Sequence, residues 1–134
     1  MTIDVVDLDH VALRVSDLDA ALAFYRDLLG LDVRDRDRYA AGEVPYVALV
    51  AGGRHLHLVP SEGPIDVGGD HVCLLVRSSG VDTRSELEAL LDRIADAGYT
   101  VEPDEPRKRY GAYGRDWAAY VRDPDGRRVE LKLH

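Results

Sequence analysis

Five histidines stand in this chain of 134 residues, and four of them open or interrupt apolar, alternating stretches. "DHVALRV" at 9–15 carries His10, and "DHVCLLV" at 70–76 repeats it with His71. "HLHLVP" at 55–60 carries His55 and His57, while "VEL" at 129–131 sets Glu130 between two apolar residues as "LHL" sets His57. A lone histidine on a strand is ordinarily a hydrogen-bonded structural residue. Side chains alternate across a strand, so a shared face is the test. Val11, Leu13 and Val15, Leu56 and Leu58, Val72, Leu74 and Val76, and Val129, Leu131 and Leu133 make one apolar face. His10, Ala12 and Arg14, His55 and His57, His71 and Cys73, and Arg128, Glu130 and Lys132 fall on the other.

Imidazole and carboxylate together suit zinc, iron, nickel, manganese or cobalt. Two histidines and one carboxylate, with positions left open, is the donor set of non-haem iron oxygenases. His10, His57, His71 and Glu130 are therefore the candidate donors to one divalent metal. Fe(II) is favoured, with Mn, Ni, Zn and Co as alternatives.

The elements that must position these residues occur twice. After "DHVALRV", "SDLDAALAFYRDLLG" reads as an amphipathic helix, with Ser16 and Asp19 as a capping box and Gly30 as its stop. A short strand at 31–34, a polar loop, "YVALV" at 46–50 and "HLHLVP" follow. After "DHVCLLV", "SELEALLDRIADAG" reads as a second helix with Ser85 and Glu88 as the box and Gly98 as the stop. "YTVEP" is expected as a strand, "DEPRKRYGAYGR" as a loop, "WAAYV" at 117–121 as a strand, "DPDG" as a turn and "RRVELKLH" as the last strand. Each half is β-α-β-β-β. The expectation is one α+β domain over 1–134, with module one about 7–60, a connector about 61–68 and module two about 69–134. Two βαβββ modules in tandem would form a cupped eight-stranded mixed sheet with the helices on its outer face.

Composition narrows the function classes. With 46% hydrophobic and 31% charged residues the chain is globular, and no apolar run is long enough for a membrane span. The formal net charge of −8 argues against nucleic acid or an anionic membrane as partner. One cysteine, Cys73, permits no internal disulfide, and the acidic start "MTIDVVDLDH" has no secretion-signal pattern, so a cytoplasmic protein is expected.

"DHVALRVSDLDAALAFYRDLLGL", "DHVCLLV" and "YVRDPDGRRVEL" together resemble the vicinal oxygen chelate superfamily: glyoxalase I, extradiol ring-cleaving dioxygenases, methylmalonyl-CoA epimerase, fosfomycin-modifying transferases and bleomycin-resistance proteins. The resemblance spans nearly the whole chain and implies metal ligation by His10, His71 and Glu130. It also implies a homodimer, with the site within one chain or shared between subunits. Where glyoxalase- and epimerase-like members usually carry Glu or Gln as a further ligand, this chain has His57, a departure that makes it either a fourth ligand or a neighbour that carries protons.

The shared chemistry is a small substrate presenting two neighbouring oxygens to a Lewis-acidic metal. An extradiol-type dioxygenase is favoured, because His57 or His55 is placed to act as acid and base toward a catechol hydroxyl. Tyr110 and Tyr113 are candidates to hydrogen-bond that substrate. A glyoxalase I-like lyase is the alternative: Arg14 would grip the carboxylate of a thiol cofactor and Glu130 would shuttle the proton. Thiol transfer ranks lower, because Val11 stands where similar transferases carry threonine. A non-catalytic binder would hold a flat ligand with Trp117 and Tyr46.

Overall fold

The computed structural model describes residues 3–134; Met1 and Thr2 of the acidic start lie outside the described residues. The chain divides into two compact units between Ile65 and Asp66, inside the expected connector.

In the first unit, β1 (His10–Val15) is followed by α1 (Leu18–Leu22), which continues as a π-helical turn over Ala23–Leu28. Then come β2 (Asp32–Arg34), α2 (Arg36–Ala40), β3 (Val47–Ala51) and β4 (Arg54–Pro60). The second unit contains β5 (His71–Val76), α3 (Thr83–Asp96), β6 (Arg107–Gly111), β7 (Gly114–Arg122) and β8 (Arg128–Leu133). The strands form two four-stranded sheets, ordered β1-β4-β3-β2 and β5-β8-β7-β6. The tandem βαβββ reading therefore holds, with the eight strands hydrogen-bonded as two sets of four.

Register repeats as well as order. β1 runs parallel to β4 with Ala12 opposite His57, and β5 runs parallel to β8 with Cys73 opposite Glu130. On the far side, antiparallel β3 sets Ala48 opposite His57, and antiparallel β7 sets Tyr120 opposite Glu130. Leu13, Val15, Leu56 and Leu58 are buried with Ala21, Leu22, Phe24 and Tyr25 in the first unit. Val121, Val129, Leu131 and Leu133 are buried in the second, along with Leu87, Leu91 and Ile94 of α3. These are the apolar faces that alternation predicts, and each is what a helix face was patterned to cover.

Several local expectations fail for identifiable reasons. Asp17, not Ser16, caps α1, its carboxylate accepting from the Ala20 amide at 3.1 Å. Asp82, not Ser85, caps α3 and accepts from the Ser85 amide itself at 3.4 Å. Aspartate, one residue later in the first case and three earlier in the second, offers a charged acceptor to the positive helix end, which a serine hydroxyl does not. The loop expected after β2 contains α2. "YTVEP" supplies a single bridge, Val101 to Val121, and the sixth strand instead lies within the expected loop as Arg107–Gly111. Its pairing to β7 closes with Gly111 opposite Gly114, a tight hairpin that the glycines make accessible.

Candidate functional site

In the first unit three rings are stacked. His57 lies between Tyr46, with ring centroids 3.9 Å apart and planes 3° apart, and His10, at 4.1 Å and 17°. The His55 ring is 6.0 Å from that of His57. His57 is buried, and loss of water first, then the neighbouring charges of His10 and His55, holds its pKa below the usual histidine value of 6.5. It is therefore neutral at pH 7. Asp9 Oδ2 lies 2.7 Å from His10 Nδ1. A proton held there leaves Nε2 with its lone pair, which is how a carboxylate prepares a metal-binding imidazole. That contact in turn depresses the Asp9 carboxyl. Arg14 is exposed on the His10 side of β1.

In the second unit His71 Nε2 stands 3.3 Å from Glu130 Oε1, and Glu130 is only 6% exposed. Two donors about 2.1 Å from one ion stand about 3.0 Å apart at a right angle and about 3.4 Å apart at the tetrahedral angle. The observed separation thus suits a shared cation as well as it suits an ion pair. Tyr120, which sequence reasoning missed, meets the His71 ring edge-on at 5.2 Å and hydrogen-bonds Glu130. Burial, then that bond, raises its pKa. Arg128 and Arg109 lie over the Tyr120 ring at 3.8 and 4.6 Å. Alternation could have found Tyr120, since β7 pairs it directly with Glu130; its place inside "WAAYV" made it look like core.

Cys73 is exposed. Its sulfur nevertheless leans on Glu130, and desolvation, then the adjacent carboxylate, pushes the thiol up to about 12. It is no nucleophile at neutral pH.

Three expected site residues lie elsewhere. Trp117 pairs with Lys108 and shares the face of β7 opposite Tyr120, where Arg84 of α3 covers its ring at 4.9 Å. Tyr110 pairs with Arg115 on that same face, two residues from Lys108, and is 81% exposed. Tyr113 sits at the hairpin tip, stacked on His134 at 4.2 Å. A strand's two-residue period separates all three from Glu130 or leaves them in a turn.

Within each unit, among the described residues, no three His, Cys, Asp or Glu side chains are gathered to hold a metal ion. The first unit brings imidazoles together, and the second an imidazole and a carboxylate. Among the described residues no helix is long and apolar enough to cross a membrane.

The chain is similar to a Synechocystis protein called probable lactoylglutathione lyase, at 32% identity over 132 residues, covering 91% of each chain. It is 33% identical over 105 residues to the catechol-2,3-dioxygenase of Bacillus subtilis, covering 73% of this chain but 34% of that one. Among solved structures, an integron cassette protein from the mobile metagenome of V. cholerae superposes with a TM-score of 0.74 at 26% identity, covering 100% of this chain and 99% of that one. The family model described as the Glyoxalase/Bleomycin resistance protein/Dioxygenase superfamily matches residues 7–131, and the chain belongs to that superfamily.

Proposed function

We propose that this chain is a divalent-metal-dependent enzyme acting on a small substrate that presents two neighbouring oxygens, with extradiol-type ring cleavage as its reaction. Members of the superfamily are usually enzymes and generally bind a divalent metal. The residues proposed to hold the ion are His10, His71 and Glu130, the preferred ion being Fe(II). When bound, it supplies Lewis acidity toward the substrate oxygens and, as iron, one-electron chemistry with O₂.

The observation that carries this reading is His57. A buried, neutral imidazole clamped between Tyr46 and His10 is a general base kept ready at pH 7. In the proposed reaction His57 takes the proton of a catechol hydroxyl and later returns it. Asp9 fixes the His10 tautomer. Tyr120 restrains the Glu130 carboxylate from the β7 side.

A glyoxalase I-like lyase is the second reading, supported by the even coverage with the protein called probable lactoylglutathione lyase and by Arg14 on the His10 side of β1. There Glu130 would move the proton between adjacent carbons. A homodimer is the assembly the family resemblance implies, and the cytoplasm is its proposed setting. Elemental analysis of anaerobically purified protein, followed by catechol-dependent O₂ uptake and by methylglyoxal turnover with a thiol, tests both. Iron with O₂ uptake supports ring cleavage, and nickel or zinc with thiol-dependent turnover supports the lyase. Absence of bound metal and of both activities overturns the enzyme reading.

A further inference from the structure

The face of the second sheet that carries Glu130 holds five cations: Arg107, Arg109, Arg122, Arg128 and Lys132. Four of them meet carboxylates. Arg107 lies 3.7 Å from Asp104, Arg109 2.6 Å from Glu105, and Arg122 and Arg128 each 2.8 Å from Glu102. Lys132 has no carboxylate partner among the described residues. Its Nζ donates to the Leu133 carbonyl at 3.4 Å, a long bond to a neutral acceptor, although the residue is 2% exposed. Holding an ammonium out of water is costly unless an anion meets it.

The side chain has been given room. Lys132 is opposite Ala118 on one side and Leu75 on the other, and its end runs against Gly111, where an added Cβ would stand 3.0 Å from Cε. Ala118 and Gly111 thus form a trough for the lysine stem. Gly111 is the last residue of β6, between the exposed Tyr110 and the hairpin tip, so the ammonium is covered by a strand end rather than by the middle of a sheet.

We propose that Lys132 is the charge-selecting residue of the site: its ammonium meets a carboxylate that the substrate carries in addition to the oxygens offered to the metal. This rests on taking the Glu130 face as the substrate face. Two residues along β8 span about 7 Å, a distance that a six-membered ring with a carboxylate substituent covers. The substrate class is then a small carboxylic acid, aromatic in the ring-cleavage reading.

The test uses the full chain stripped of metal by a chelator, titrated calorimetrically with benzoate and with benzamide at fixed ionic strength. The probes have the same shape and differ in charge. The wild type is expected to prefer benzoate by about tenfold or more, the scale of a charge-assisted hydrogen bond. Lys132→Met erases that preference and Lys132→Arg keeps part of it. Methionine retains the length of the stem without the unpaired charge, so folding is expected to survive, with circular dichroism as the check; Lys132→Gln replaces it if it does not. No benzoate preference in the wild type overturns the proposal. So does a preference that persists in Lys132→Met and vanishes in Arg14→Met. Neither metal nor turnover enters the measurement, so its failure and the failure of the enzyme reading are seen separately.

Discussion

His57 in β4 and Glu130 in β8 occupy the same place in their modules: each is paired with the third residue of the opening strand, Ala12 or Cys73, and with β3 or β7 on its other side. Around His57 the neighbours are rings, Tyr46 and His10, and the group is kept neutral. Around Glu130 they are an imidazole, a phenol and a thiol, with guanidiniums stacked behind the phenol. One ladder, used twice, presents a proton acceptor in one unit and an anionic donor in the other. Backbone register decides where chemistry is placed, and the residue written there decides which chemistry it is.

Exchanging the two equivalent residues for alanine should break the comparison most sharply. Glu130→Ala is expected to lower metal affinity on the order of a hundredfold or more, read by elemental analysis after dialysis. His57→Ala should keep its metal and lose turnover by about 10²–10⁴-fold. Equal metal loss from both would make His57 a ligand.

Next come the equivalent core positions Leu58 and Leu131, both fully buried. Each Leu→Ala variant should lose about 2–5 kcal/mol. If the units fold as one domain, calorimetry will show a single transition lowered by either change. Two transitions, each moved by one variant, would mean that the units fold separately.

Smaller still is the pH contrast. A depressed imidazole binds its proton more readily in the unfolded chain, so the His57 contribution is complete above 6.5 and lost as pH falls below it. Glu102, held low by Arg128 and then Arg122, contributes above its ordinary 4.5 and loses that stability as pH falls further. Melting temperature should therefore fall less between pH 7 and about 5.5 in His57→Phe than in the wild type. Glu102→Gln should flatten only the more acidic limb.

The least effect is expected from Trp117→Leu. Losing the contact with Arg84 should cost about 0.5–1 kcal/mol in a thermal melt and leave kcat/KM unchanged, because the ring is on the face away from Glu130.

The duplicated plan was legible because its signals are periodic: His10 and His71 head matching strands, and Leu58 and Leu131 alternate with His57 and Glu130. The sixth strand was not, because "RKRYG" has no apolar alternation. It is an edge strand, charged as edges are, and is specified by its pairing to β7. Tyr110 and Trp117 were read as site residues for their chemistry, and only the β6–β7 register, set by the Gly111–Gly114 closure, assigns them to the other face. Tyr120 was overlooked for the converse reason, its neighbours being small and apolar. Lys132 carried no sequence signal, since a lysine near a chain end reads as solvated until its burial is seen.

The two modules differ most in their helices. α3 is regular, whereas the helix after β1 widens over Ala23–Leu28, and consecutive residues there, Phe24 and Tyr25, are both fully buried. Adjacent positions on an ordinary helix diverge by about 100°, too much for two bulky rings to point into the same interior. The wider turn takes up one additional residue and lets both aromatics anchor a short segment. Removing a single amino acid from this turn would restore standard winding and keep the residues up to Gly30 in phase, but only one bulky ring could then point into the interior. A deletion that is harmless by length would forfeit one of the two aromatic anchors.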